Sequence, residues 1–158
     1  MSVQYIMRNG VGAEVFNILR KKYTMNPKSL EEIINRIRLM ELPVNINMVV
    51  AVARGGIIPA TLIMQKLQCD LELLWINYRD NQNKPNYESP KLMKPISFDV
   101  KNKHILLVED RIKTGASVNF AKQTLLEMGA SSVFTFAVNG KADYCIYDEV
   151  CFPMPWKV

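Results

Sequence analysis

The sequence holds one histidine, His104, and three cysteines, Cys69, Cys145 and Cys151, among 158 residues. A serine or cysteine nucleophile activated by imidazole would have to use His104. That residue opens an apolar run and reads as structural, so such schemes rank low. The cysteines are odd in number and show no C-x-x-C spacing, which argues against a disulfide framework or a zinc site. A reducing cytoplasm is the expected setting. No apolar stretch, Ile57 to Met64 included, approaches the roughly 20 residues that span a bilayer, so no membrane partner is expected. The N-terminus lacks the basic-then-apolar pattern of a secretory signal. No repeat, low-complexity tract or Pro/Gly linker divides the chain, and a single domain over 1–158 is expected.

What is present is ordinary for a globular protein: 49% hydrophobic and 22% charged residues. The net charge is +5, from 20 Lys+Arg against 15 Asp+Glu. That surplus fits an anionic substrate such as a sugar phosphate, weak attraction to nucleic acid, or a merely solvated basic surface. There is no separate nucleic-acid module, so nucleic acid is not expected as a partner.

Periodicity organises the chain. Gly12 to Tyr23 suits a helix ending in Arg20, Lys21 and Lys22. Ser29 and Glu32 read as a capping box, with Leu30, Ile33, Ile34 and Ile37 at helical spacing and a stop before Pro43. These helices make up an N-terminal part, 1–46. Met48 to Ala53 is a short apolar run rich in valine and reads as a buried parallel strand. Ile57 to Leu67 is a helix with Pro59 in its first turn. Strands are expected at Leu71–Tyr78, His104–Glu109, Val133–Val138 and Tyr144–Tyr147. A helix striped by Val118, Ala121, Leu125 and Met128 is closed by Gly129. Alternating strands and helices give an α/β domain with a mainly parallel sheet. Residues 79–99 show no period and several prolines, and read as a flexible loop acting as a lid, with room for a short hairpin.

Parallel sheets bind ligands at the carboxyl ends of their strands. Ala53-Arg54-Gly55-Gly56 ends the first strand with two glycines, a helix start and a guanidinium, all suited to an anion. The same pattern also arises from packing alone. Glu109 and Asp110 end a later strand and need water, a cation or hydroxyl donors such as a ribose. Thr114-Gly115-Ala116-Ser117 then opens a helix, where hydroxyls and amides can cradle a phosphate, or where Thr114 or Ser117 simply caps the helix.

The full string from Ile105 to Ser117, ILLVEDRIKTGAS, resembles the PRPP (5-phosphoribosyl-1-pyrophosphate) signature of type I phosphoribosyltransferases. The Ala-Arg-Gly-Gly turn is similar to that family's pyrophosphate loop. Tyr78 to Gln82 resembles the start of its catalytic loop, and Lys141 to Tyr144 with Phe152 to Trp156 resembles the tail of small bacterial and archaeal purine enzymes. The resemblance spans roughly Met48 to Trp156. It implies the type I phosphoribosyltransferase fold with a C-terminal hood over 139–158. It also implies Mg²⁺-dependent transfer of phosphoribose from PRPP to a nucleobase, a purine such as xanthine, guanine or hypoxanthine, within a homo-oligomer.

Residue by residue, the resemblance implies that Glu109 and Asp110 hold the ribose hydroxyls, directly or through Mg²⁺. Lys113, Thr114, Gly115, Ala116 and Ser117 would wrap the 5′-phosphate. Arg54 and Gly55 would hold pyrophosphate, with a cis peptide before Arg54. Arg54, Asp110 and Lys113 are the catalytic candidates. Tyr78, Arg79 and Lys84 belong to the flexible loop, and Lys141, Cys151 and Phe152 to the base pocket. Two departures stand out: Lys113 where purine enzymes carry Asp, and Cys151 where the bacterial enzymes stack a tryptophan. The alternatives are a PRPP- or nucleotide-binding regulator of the same fold, with RNA as a conceivable target, or a PRPP-binding member with little turnover.

Overall fold

The computed structural model describes residues 27–77 and 88–157. The expected helix at 12–23 and the loop candidates Tyr78, Arg79 and Lys84 lie outside them. Strand β1, Met48–Ala53, is buried at all six positions, as its unbroken apolar run requires of a central strand. It pairs in parallel with β2, Asp70–Asn77, on one side and with β4, His104–Arg111, on the other. Beyond β4 come β5, Ser132–Asn139, and β6, Tyr144–Tyr147, both parallel. The two-residue β3, Lys91–Leu92, closes the other edge antiparallel to β2, so part of the expected 79–99 loop is the return arm of a hairpin. The order β3-β2-β1-β4-β5-β6 makes the fold α/β with a six-stranded, mostly parallel sheet.

Helices cover both faces. On one, α1 (Leu30–Leu39) and α2 (Ile57–Leu67) join the C-terminal segment. There Ile33, Ile37, Ala60 and Ile63 pack with Val49, Ala51, Leu106, Val108, Phe136, Phe152 and Met154. On the other, α3 (Ala116–Glu127) packs Val118, Ala121 and Leu125 against Val50, Val52, Ile105 and Leu107. The alternating strand positions thus feed two cores.

The helix ends explain themselves. The Ser29 hydroxyl accepts the Glu32 amide at 3.0 Å, as the capping box requires. The reciprocal arm is not made: the Glu32 carboxylate instead accepts from Tyr147 Oη at 2.6 Å, fastening α1 to β6. Lys66 on α2 donates to the Arg38 and Met40 carbonyls at the end of α1, at 2.6 and 2.7 Å. Helix α3 ends in a Schellman arrangement, with Ala130 N bonded to Leu125 O and Gly129 N to Leu126 O. Gly129 supplies the required positive φ, +100°. Met128, expected in the buried stripe, caps the helix and is exposed.

The chain runs from β1 outward to β2 and β3, then returns to the far side of β1 as β4. Strand order therefore reverses between β1 and β4, and a crevice opens above their carboxyl ends. His104, at the opposite end of β4, lies with Nδ1 2.8 Å from Ser132 Oγ. The three cysteines are unpaired, and among the described residues no helix is long and apolar enough to cross a membrane.

Candidate functional site

The crevice is a cavity of about 960 Å³. Its floor is the β1 turn with Arg54 and Gly55. Its back is the stretch from Glu109 to Ser117, and its sides are Trp75 and Met93 on one hand and Trp156 and Lys157 on the other. Arg54, Gly55, Glu109, Asp110, Lys113, Thr114, Gly115, Ala116 and Ser117, nominated from sequence, all meet here. The Ala53–Arg54 peptide is cis, as the resemblance implied.

The floor and back touch closely. A Cβ at Gly55 would fall 2.5 Å from Asp110 Oδ1 and 2.8 Å from Glu109 Oε1, so only glycine lets the turn lie against the acid pair. Strand β4 runs on through both acids to Arg111, because β5 offers partners as far as Asn139. The acids are thus held on pleated backbone. Glu109 Oε1 accepts the Asp110 amide at 2.9 Å. Burial, and then the neighbouring Asp110 charge, push the Glu109 carboxyl well above the usual range. Asp110 is 5% exposed, and its Oδ2 accepts no hydrogen bond among the described residues. The Lys157 ammonium stands 3.5 Å from that oxygen.

Gly115, at φ +79°, is the N-cap of α3, and no side chain caps the helix. Ser117 makes no cap, and the Thr114 hydroxyl accepts the Ala116 amide only at a long 3.4 Å. The first amides of α3 therefore face the cavity with their positive dipole end unclaimed. Beside them, the Ile112 amide donates to Asn139 O at 3.0 Å, and a side chain at Gly140 would collide with the Ile112 carbonyl. The turn after β5 thereby buttresses the loop between β4 and α3.

A second cavity of about 660 Å³ lies beyond that loop. Lys141 and Cys151, nominated for base binding, line it with Asn139, Gly140, Asp148 and Glu149. Asn139 is 2% exposed, and its amide side chain bonds both backbone groups of Glu149, which fixes the rim. Phe152 lines neither cavity. Its ring is buried edge-on against Tyr147, centroids 5.2 Å apart, and its carbonyl accepts from Arg111.

Sequence reasoning missed Lys157, Trp75 and Met93 as lining residues, and gave Arg111 and Trp156 no individual role within the string and the tail. Arg111 lies inside the recognised string, where a basic residue directly after two acids was a readable signal. The others arrive from β2, β3 and the C-terminus, and no local pattern marks them.

The donor set suits a hard divalent cation in one respect. Two adjacent carboxylates, Asp110 buried with an orphaned oxygen and Glu109 half-buried, need positive charge. Among the described residues no group of three or more acids, histidines or cysteines forms a metal cluster. Such a pair fits Mg²⁺ in the usual way, with substrate oxygens and water completing the shell.

Known proteins share this fold and stretches of this sequence. The archaeal purine phosphoribosyltransferase from Pyrococcus horikoshii superposes with a TM-score of 0.66 at 21% identity, covering 82% of this chain and 91% of that one. In sequence, the ribose-phosphate pyrophosphokinase of Pyrococcus furiosus is 31% identical over 77 residues, 49% of this chain and 28% of its own length. The bifunctional protein PyrR of Limosilactobacillus reuteri is 33% identical over 63 residues, 39% of this chain and 35% of its own. The matches thus span about a third or less of these two relatives. A family model described as a phosphoribosyl transferase domain matches residues 21–144. With the acid pair, the glycine turn and the open helix start in one crevice, the chain belongs to the phosphoribosyl transferase domain family.

Proposed function

We propose that this protein transfers phosphoribose from PRPP to a purine base in the cytoplasm, with Mg²⁺ and with release of pyrophosphate. One observation carries the reading: the uncapped start of α3 opens into the same cavity as the Glu109–Asp110 acid pair and the Arg54 turn. A 5′-phosphate, two ribose hydroxyls and a pyrophosphate need those three surfaces in that order.

The amides from Gly115 to Ser117, with the Thr114 and Ser117 hydroxyls, bind the 5′-phosphate. Glu109 and Asp110 hold the ribose hydroxyls and would hold Mg²⁺, which would supply charge neutralisation to the departing pyrophosphate. The C1–oxygen bond to pyrophosphate breaks with its electron pair as a base nitrogen bonds to C1, and that nitrogen's proton passes to water. Arg54 offers paired donors where negative charge grows, so its contact strengthens as the bond breaks.

Lys113 supports a second reading. It borders both cavities where related purine enzymes carry Asp, and a protonated amine cannot accept the base proton. A member that binds PRPP and turns over little would look the same. Pyrophosphate release from PRPP, measured with each purine and with Mg²⁺ or EDTA, tests the first reading. Calorimetric PRPP binding without release would select the second, and no PRPP binding would refute both.

A further inference from the structure

Residues 111–115 form a wall shared by the two cavities. The rest of the second cavity is lined by Asn139, Gly140 and Lys141 after β5, by Asp148, Glu149 and Cys151 after β6, and by Asn119. The stretch 148–151 belongs to no helix or strand, so no ladder of backbone bonds fixes its distance from the wall. Packing does little for it either, since Asp148, Glu149 and Val150 are all exposed. A rim this open would drift unless side chains from elsewhere held it.

Two side chains hold it. Asn139 Nδ2 donates to the Glu149 carbonyl at 3.2 Å, and Asn139 Oδ1 accepts the Glu149 amide at 3.0 Å. The Asn139 carbonyl accepts the Ile112 amide at 3.0 Å, so this one buried residue links rim to wall. The second holder is Lys28, immediately before the Ser29 cap, whose ammonium lies 3.3 Å from the Glu149 carboxylate. Its side chain is only 10% exposed, and the ammonium sits 4.6 Å from the Tyr147 ring centroid and 5.8 Å from that of Phe152. A cation withdrawn from water needs such partners. Tyr147 is already fastened to α1 by Glu32, with the Arg36 guanidinium 4.6 Å from its ring. What Lys28 adds is the hold on Glu149. Lys28 itself lines neither cavity.

We propose that Asn139 and Lys28 are positioning residues for the second cavity: they grip Glu149 by its backbone and by its carboxylate, and so preset the gap a ligand must fill. A rim left mobile has to be ordered when the ligand arrives, and that ordering is subtracted from the affinity. Lys28 therefore acts on binding at a cavity it does not touch, and ties the segment before α1 to the ligand site. The inference rests on the phosphoribosyl-transfer reading above for the ligand, whose sugar phosphate fills the first cavity and whose base fills the second.

The test uses binding and hydrogen exchange, so it does not depend on turnover. Dissociation constants are measured by calorimetry for ribose 5-phosphate, GMP, IMP and AMP, and exchange of the Glu149 amide is followed by NMR without ligand. The proteins are wild type, Lys28→Met, Lys28→Arg and Asn139→Ala. Methionine keeps the apolar stem and removes the charge, while arginine keeps both. Lys28→Met should speed Glu149 exchange and weaken the tightest-binding nucleotide, each by roughly fivefold or more, with ribose 5-phosphate within about twofold of wild type. Lys28→Arg should stay within about twofold of wild type in every measurement. Asn139→Ala should shift exchange and nucleotide affinity the same way and further; if it does not fold, the Lys28 variants decide. Equal weakening of ribose 5-phosphate and nucleotide in Lys28→Met overturns the inference, since Lys28 would then serve only the fold. Unchanged exchange or unchanged nucleotide affinity in Lys28→Met overturns it too, as does a loss in Lys28→Arg equal to that in Lys28→Met. Wild type that binds no nucleotide more tightly than ribose 5-phosphate removes the base from the second cavity and overturns it as well. If ribose 5-phosphate itself fails to bind wild type, the phosphoribosyl reading falls and takes this inference with it, a result distinct from all of these.

Discussion

In water two neighbouring carboxyls are both ionised well below neutral pH, but the environment of Glu109 and Asp110 opposes that. Burial raises the Glu109 carboxyl, the Asp110 charge raises it further, and the amide it accepts only partly compensates. The folded protein therefore binds this proton more tightly than the unfolded chain does. Its contribution to stability is fully present below the ordinary Glu range and is lost as pH rises through the elevated folded value. Glu109→Gln, which never ionises, should match wild type near pH 4 and become progressively more stable than it as pH increases. Thermal melts from pH 4 to 8 without divalent ions check this, and a gap that is flat or shrinks with pH contradicts it. The same substitution should weaken PRPP binding, because the acid destabilises the fold where it serves the ligand.

At the scale of elements, Ser29 gives the simplest expectation. Its hydroxyl satisfies an orphan amide of α1, and caps of this kind contribute about 1 kcal/mol. Ser29→Ala should lower Tm by about 2–4 °C and leave ligand affinities unchanged, measured by calorimetry and melting. An unchanged Tm would show that the cap is idle. This cap was legible because it is local: a serine, a glutamate three residues on, then Ile33 and Ile37 at helical spacing. The core strand Met48–Ala53 and the α3 stripe of Val118, Ala121 and Leu125 were legible for the same reason. Strand β3 was not, since Lys91 and Leu92 are both exposed and only pairing with Ile76 and Asn77 makes them a strand. Nor was the second arm of the capping box, because Tyr147 lies 115 residues away and wins the Glu32 carboxylate.

For the whole molecule, the open helix start and the acid pair could be read from one continuous string, while the enclosure could not. Lys157 comes back from the far end of the chain to stand beside Asp110, a proximity that exists only after β5, β6 and the C-terminal segment are in place. Lys157→Ala should leave a buried carboxylate without that cation. Because the lysine is itself 55% exposed, the loss of stability should be well below that of a fully buried pair. Mg²⁺ should then raise the variant's Tm by more than it raises that of wild type. An equal Mg²⁺ response in the two proteins would show that the ammonium and the divalent ion do not compete for that oxygen.

The wall formed by residues 111–115 has a consequence in thermodynamics as well as in shape. Because one stretch of chain borders both cavities, a shift of that stretch on filling one would alter the surface offered to the other. If the two cavities take sugar phosphate and base as proposed, linkage demands symmetry: whatever factor the sugar phosphate contributes to affinity for the base, the base returns to the sugar phosphate. A stiff wall would make that factor close to one and allow the two ligands to enter in either order. A wall that settles only around a bound ligand makes the factor large, and each ligand then tightens the other equally whichever enters first.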